Sequence, residues 1–334
     1  MLQRQASLNC YFFCHPRPPK ASADLKQTLE SILSQEGVNL ELIAIDDCST
    51  DGTSEILSEY AARDLRVRLI RHEKNQGIGA SRNDGLKAVR GECFIFVDGD
   101  DALEARALER LLPGFLDGAD LVLGGYVNVT PRGDVVGYGD NPRYCYRSKT
   151  EIDAHFDSLE LGVCHNRLFR ASLKYAPFRS LMMGEDAMWN QDNYPNLNYM
   201  MAIPDVTYRY TIRGDSASTA LANVDHWTEY FCCAVRDAGA RGGVWKGRAL
   251  RMTMTFALPR LYKNPVSWKL RRRFIRAARE SGILPASHPC GGGKVAVVIS
   301  KLSGAPEWVR GVFSLLYRSA RRVTQWVKSG HGRK

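Results

Sequence analysis

CFIFVDGDD, residues 93–101, decides the fold. Cys93 to Val97 is a short, unbroken apolar run, the pattern of a strand buried on both faces. It passes directly into Asp98-Gly99-Asp100-Asp101, and the chain then turns into the helical stretch DALEARALERLL. The same event occurs upstream: LELIAI (40–45) runs into Asp46-Asp47-Cys48-Ser49-Thr50-Asp51, followed by helical DGTSEILSEYAAR. Around these two strand ends the chain alternates regularly. DLKQTLESILSQ puts Leu25, Leu29, Ile32 and Leu33 on one helical face, with Asp24 or Ser22 as N-cap. VRLIR (67–71) reads as a strand, GIGASRNDGLKAVRG as a helix closed by Gly91, and DLVLGGYVNV as a strand. Strands alternating with helices of this length predict βαβ units, hence an α/β fold with a mostly parallel sheet and helices on both faces. Beyond residue 130 the pattern loosens. CHNRLFR (164–170) and VTYRYTI (206–212) read as strands and GEDAMWNQDNY as a helix start.

In an open parallel sheet, ligands bind outside the carboxyl ends of the strands. Acidic residues gather at two such ends here, and so many carboxylates repel one another unless a cation lies between them. A hard divalent ion with oxygen ligands, Mg²⁺ or Mn²⁺ bridging carboxylates to substrate phosphates, is the simplest answer. Each Asp taken singly reads equally as a helix cap or turn former. Two carboxylates flanking a water would instead mark a hydrolase, a reading that leaves the N-terminal half unexplained.

The 334 residues suffice for one large α/β domain with an appendage; 44% are hydrophobic and 25% charged, ordinary for a folded protein. No apolar run reaches the roughly 18–20 residues of a membrane span. MLQRQASLN carries no signal-peptide pattern, and the nine cysteines form no C-x-x-C pair, which together predict a reducing, cytoplasmic setting. The net charge of +10 is unevenly placed. Residues 1–220 hold 24 Lys+Arg against 31 Asp+Glu, a net of −7; residues 221–334 hold 22 against 5, a net of +17. A basic last third predicts an anionic contact.

IDDCSTDGT, NQGIGASRNDG, FIFVDGDD and GED, in this order over residues 23–220, resemble the inverting family 2 glycosyltransferases of the GT-A fold. The resemblance implies a nucleotide-sugar donor, of UDP type, a glycan or lipid-linked acceptor, and a role in surface polysaccharide biosynthesis. It implies that Asp47 contacts the nucleotide base with Asp46 supporting the turn, and that Arg82 faces the nucleotide while Gly77 lets the backbone pass close. Asp100 then lies near the ribose, Asp101 with Asp100 ligates Mn²⁺ or Mg²⁺, and Asp98 assists. Asp186 becomes the general base with Glu185 beside it, and Arg213 and Ser216 match a loop over the donor diphosphate. The residue types suit the chemistry: one carboxylate deprotonates the acceptor, and a carboxylate-held metal stabilises the leaving diphosphate. For GED the competing reading is a helix N-terminus favoured by the macrodipole. The domains expected are 1–222, catalytic (1–125 nucleotide-sugar-binding, 126–222 acceptor), and 223–334, basic and mainly helical with a linker near 286–293. An alternative is a catalytically impaired homologue acting as a binding or scaffold protein.

Other constellations are weaker. Cys164 and His165 are adjacent in a strand and point to opposite faces, which argues against a catalytic dyad, though His165 stands where relatives carry an aromatic and is expected to line the acceptor site. Trp189 reads as packing. Neither a Rossmann G-x-G-x-x-G nor a P-loop occurs, and no Q-x-x-R-W string accompanies the acidic motifs, so single addition rather than processive synthesis is expected. PEWVRGVFSLLYRSARRVTQWVK and KLRRRFIRAAR (269–279) are basic and helical in spacing, which suits peripheral contact with the inner face of the cell membrane; the competing reading is a packed helix with a solvated basic face. No nucleic-acid fold accompanies the charge. One stretch breaks the pattern: YFFCHPRPPK (11–20) starts as a buried strand and ends in three prolines that a central strand excludes. Its possible codons, read one base later, permit I-S-F-V-I-P-V-H-Q, an opening the family uses. A local frameshift is therefore hypothesised, with a first strand irregular from about Cys14; sequencing the coding DNA tests it.

Overall fold

Leu25, Leu29 and Ile32 recur on one side of helix α1 (Ala21–Leu33), and all three are buried, so the helix is held by its apolar stripe rather than by its caps. Ser22 and Asp24 both fall inside α1, so neither is its N-cap. The computed structural model describes residues 7–14, 21–139, 143–156, 159, 161–213, 224–257 and 268–284. The chain divides into two compact units, Met1–Tyr230 and Phe231–Lys334.

In the first unit, α1 follows β1 (Ser7–Cys14) and precedes β2 (Asn39–Asp46), α2 (Thr53–Arg63), β3 (Val67–Arg71), α3 (Ile78–Ala88) and β4 (Cys93–Asp98). These four strands are parallel, in the order β3-β2-β1-β4. The sheet continues through β9 (Arg167–Arg170), β6 (Leu121–Val129), β10 (Met200–Thr211) and the two-residue β5 (Ala102–Leu103). Strand β9 runs antiparallel between β4 and β6, and β6 and β10 pair parallel. Two short strands, β7 (Val135–Tyr138) and β8 (Tyr144–Tyr146), attach to β6 and β10. Helices α4 (Ala107–Leu116), α5 (Lys149–Ala154) and α6 (Glu185–Asn193) complete the unit. Helix α3 ends at Ala88, so Gly91 lies beyond its C′ position.

The first strand is present and central. Ser7–Cys14 pairs with β2 along its whole length and with β4 over six residues. The strand is formed as far as Cys14, and the prolines after it, where irregularity is expected, lie outside the described residues. The register aligns Cys14 with Asp46 and Phe13 with Asp98. Three parallel strands thus end abreast, and the acidic runs after β2 and β4 share one edge.

The second unit takes up α7 (Val224–Arg241) from Phe231 onward, then α8 (Gly243–Met252), a π turn (Thr253–Ala257) and α9 (Trp268–Glu280). Phe231 and Phe274 meet edge to face, with centroids 6.0 Å apart. The linker expected near 286–293 and the helix expected around 309–328 lie outside the described residues.

Candidate active site

Asp98 ends β4 and starts a tight turn in which the Asp101 N–H donates to the Asp98 carbonyl at 3.0 Å. The turn sends the three acids in different directions. Asp101 is buried, at 2% exposure. Its Oδ2 accepts from Tyr208 Oη at 2.8 Å and its Oδ1 from the Thr211 N–H at 2.8 Å. Burial, then the charges of Asp100 and Asp98, push its carboxyl well above the usual carboxylate range. Asp101, the residue expected to ligate a metal, thus has both carboxylate oxygens bonded to β10. Asp98 and Asp100 keep partly open side chains. Asp100 borders a small cleft with Asp24, Gln27 and Thr211.

Arg82, from α3, is the hub of the site. It is 2% exposed. Its Nη2 donates to Asp98 Oδ1 at 3.2 Å, and its Nη1 donates to Glu185 Oε1 at 2.8 Å and to Asp186 Oδ1. The guanidinium also lies over the Phe178 ring, 5.3 Å from its centroid. Arg82, the residue expected to face the nucleotide, ties the strand-end acid to the GED acids more than a hundred residues later. The chain enters α6 through Gly184 at φ 73°, and a Cβ there would lie 2.3 Å from the Tyr230 ring, so only glycine fits. Asp186 Oδ2 accepts from the Cys164 N–H at 3.2 Å. Burial raises both acids, Glu185 to about 8, with the Asp186 charge adding to the rise and Arg82 opposing it. Burial is the largest cause for Asp186 as well, again opposed by Arg82.

The nucleotide loop is built from the other strand end. Asp47 is 1% exposed, and its carboxylate accepts the Gln76 and Gly77 N–H groups, each at 2.7 Å. His72 Nδ1 lies 2.8 Å from the same carboxylate, and its Nε2 lies 3.1 Å from Asp84. Gly77 at φ 87° shapes the backbone that makes this possible. Asp47, the residue expected at the nucleotide base, thus holds the Gln76–Gly77 loop. Asp46 Oδ1 accepts from the Ser49 N–H at 2.9 Å, within the turn after β2. Arg213 pairs with Asp24 and stands 3.5 Å from Asp100. Ser216 lies outside the described residues.

His72, Asp84 and Tyr208 are not singled out by the sequence, and Asp24 only as a helix cap. His72 directly follows a strand at the ligand edge, a signal that was available; Tyr208 and Asp24 carry none apart from their tertiary partners. Cys164 and His165 form no dyad: burial raises the Cys164 thiol and lowers the His165 imidazole to about 3. His165 stacks on Tyr208 with centroids 4.7 Å apart. Trp189 is fully buried and stacks on Phe178 at 4.7 Å, so it packs. No group of three or more His, Cys, Asp and Glu side chains is arranged around a metal among the described residues. The two open carboxylates of Asp98 and Asp100 nonetheless fit a Mg²⁺ or Mn²⁺ ion that takes its other oxygens from a diphosphate and water.

Residues 20–174 match the family model "Glycosyl transferase family 2". "Glycosyltransferase GlyA" of Streptococcus pneumoniae is 28% identical over 225 residues, covering 64% of this chain and 31% of that protein. "Succinoglycan biosynthesis protein ExoO" of Rhizobium meliloti is 41% identical over 92 residues, covering 27% of this chain and 26% of that protein. The chain thus spans under a third of the length of these two relatives. The crystal structure of S. aureus TarS 1-349 in complex with UDP-GlcNAc superposes with a TM-score of 0.63 at 18% identity, covering 82% of this chain and 80% of that one. The acidic strand ends fall within or beside the matched segment, and the sheet that presents them has the TarS fold. Residues 20–174 are thus similar to glycosyl transferase family 2, and the described sheet has the fold of the TarS structure.

Proposed function

We propose that the chain is an inverting, metal-dependent, non-processive glycosyltransferase that moves a sugar from a UDP-sugar to a glycan or lipid-linked acceptor in surface polysaccharide biosynthesis. The observation that carries this reading is the Arg82 hub, which brings Asp98, at the donor edge of the sheet, together with Glu185 and Asp186, at the start of α6. The UDP-GlcNAc bound by TarS and the succinoglycan role in the name of ExoO support the donor and the pathway class.

In this mechanism Asp186 is the general base. Burial raises its basicity, and the Cys164 N–H holds its second oxygen in place. Asp186 takes the proton of an acceptor hydroxyl as the new C–O bond forms at the anomeric carbon. The bond to the diphosphate breaks on the opposite face, and its electron pair leaves on the diphosphate oxygen. Arg82 orients the base and favours its ionised form in the free site. Asp98 and Asp100 would hold the divalent ion, which when bound absorbs the leaving-group charge. Arg213, beside Asp100, adds positive charge at the same place. Asp47 and His72 act by fixing the Gln76–Gly77 turn against which a nucleotide lies. Peripheral attachment at the inner face of the cell membrane belongs to the same proposal, with the basic C-terminal unit as the contact.

Titration with UDP, with and without Mn²⁺, followed by a screen of UDP-sugars for donor hydrolysis, tests the reading. Metal-dependent UDP binding that Asp100→Ala removes is expected. Binding that ignores both metal and Asp100, with no sugar turned over, refutes it and favours a binding or scaffold homologue.

A further inference from the structure

The second unit carries the net positive charge of the chain. Residues 231–334 hold 22 Lys+Arg against 3 Asp+Glu, a net of +19, leaving −9 on residues 1–230. Within it, α9 reads WKLRRRFIRAARE, and its residues sort cleanly by environment. Phe274, Ile275, Ala277 and Ala278 are fully buried. Lys269, Arg272, Arg273 and Arg276 are exposed. The exposed four stand at i, i+3, i+4 and i+7, so they share one face. At 1.5 Å per residue they span about 10 Å along the axis. Glu280, one turn further on, is the acid among the exposed positions of this helix.

We propose that this face of α9 docks on the headgroups of an anionic phospholipid surface, electrostatically and without inserting. The inference deepens the proposed membrane attachment and rests on it. The burial pattern decides the mode. An inserting interfacial helix offers its apolar side to lipid. Here that side is spent inside the unit, with Phe274 against Phe231. What remains outward is a ridge of cations, the array that anionic headgroups attract. A nucleic acid fits less well, because the exposed positions from Lys269 to Glu280 are Lys, Arg, Arg, Arg and Glu, with no aromatic platform for a base.

The test is co-sedimentation of the full chain with vesicles of equimolar phosphatidylglycerol and phosphatidylcholine, and with pure phosphatidylcholine vesicles. Wild type binds the anionic vesicles, does not bind the neutral ones, and is released between about 0.1 M and about 0.5 M salt. The variant Lys269→Gln, Arg272→Gln, Arg273→Gln, Arg276→Gln removes four exposed charges, each worth about fivefold at such a surface, so partition falls by several hundredfold, on the order of 10²–10³. Exposure of all four keeps the fold intact, which thermal unfolding checks. The control Arg236→Gln, Arg241→Gln, exposed on α7, loses far less. Equal binding by the fourfold variant, an equal loss in the control, or binding that persists at high salt overturns the assignment to α9 while leaving attachment standing. Wild type that ignores anionic vesicles, or prefers duplex DNA to them at equal phosphate, refutes the attachment itself.

Discussion

Replacing Arg82 by methionine keeps the length and apolar stem of the side chain and deletes the charge that three carboxylates share. Arg82 is 2% exposed and hydrogen-bonded to Asp98, Glu185 and Asp186. A gross attraction of about 4 kcal/mol per contact at an effective dielectric of 20 is offset by the desolvation of every ion involved. Deleting one partner of a buried cluster costs about 3–5 kcal/mol, because the uncompensated charges stay behind. Glu185, pushed up to about 8, holds its proton near neutrality, so the loss falls mainly on Asp186, which burial also raises. The penalty is present above the carboxyl pKa values and is lost as pH falls through them, since a protonated acid no longer needs the cation. Arg82→Met therefore loses about 3–5 kcal/mol in urea unfolding near pH 8 and markedly less near pH 5. In a double-mutant cycle with Asp186→Asn the two losses are not additive, with a coupling of about 1–3 kcal/mol. A loss under about 1 kcal/mol at pH 8, a loss that grows toward pH 5, or strict additivity refutes the hub.

The turn after β4 separates two acids by experiment: Asp101→Ala leaves Tyr208 and Thr211 unpartnered and costs about 1–3 kcal/mol of stability, whereas Asp100→Ala leaves thermal stability nearly unchanged and abolishes the Mn²⁺ dependence of UDP binding. Glu185, raised from 4.5 to about 8, binds a proton in the folded state that the unfolded chain releases, so its contribution to stability is full below about 4.5 and is lost as pH rises through about 8. Glu185→Gln removes that slope, which unfolding curves across this range read directly. Gly184→Ala meets both a φ of 73° and the Tyr230 ring, and lowers stability by about 2–4 kcal/mol with loss of donor turnover; a variant as stable as wild type contradicts the left-handed turn at the start of α6.

Much of this protein is legible in its sequence. The apolar runs at 40–45 and 93–97 became β2 and β4 because a strand buried on both faces leaves little else for such a run to do. The period of Leu25, Leu29 and Ile32 became a buried helical stripe, and the acids after the two strands share one edge of the sheet, since parallel strands end together. Direction was not legible. Asp100 and Asp101 are neighbours, and their spacing carries no record of which one turns inward; Tyr208 and Thr211, from a strand paired on the far side of the sheet, take Asp101. Asp47 is claimed by the Gln76–Gly77 backbone. Arg82 sits 104 positions before Asp186, a separation no local pattern spans, and the burial that raises Asp186 exists only once α3, β4 and α6 have closed around it. Composition and periodicity are local properties and survive in the sequence. Which carboxylate keeps its charge depends on dielectric and on partners brought from elsewhere in the chain, and these the folded structure alone supplies.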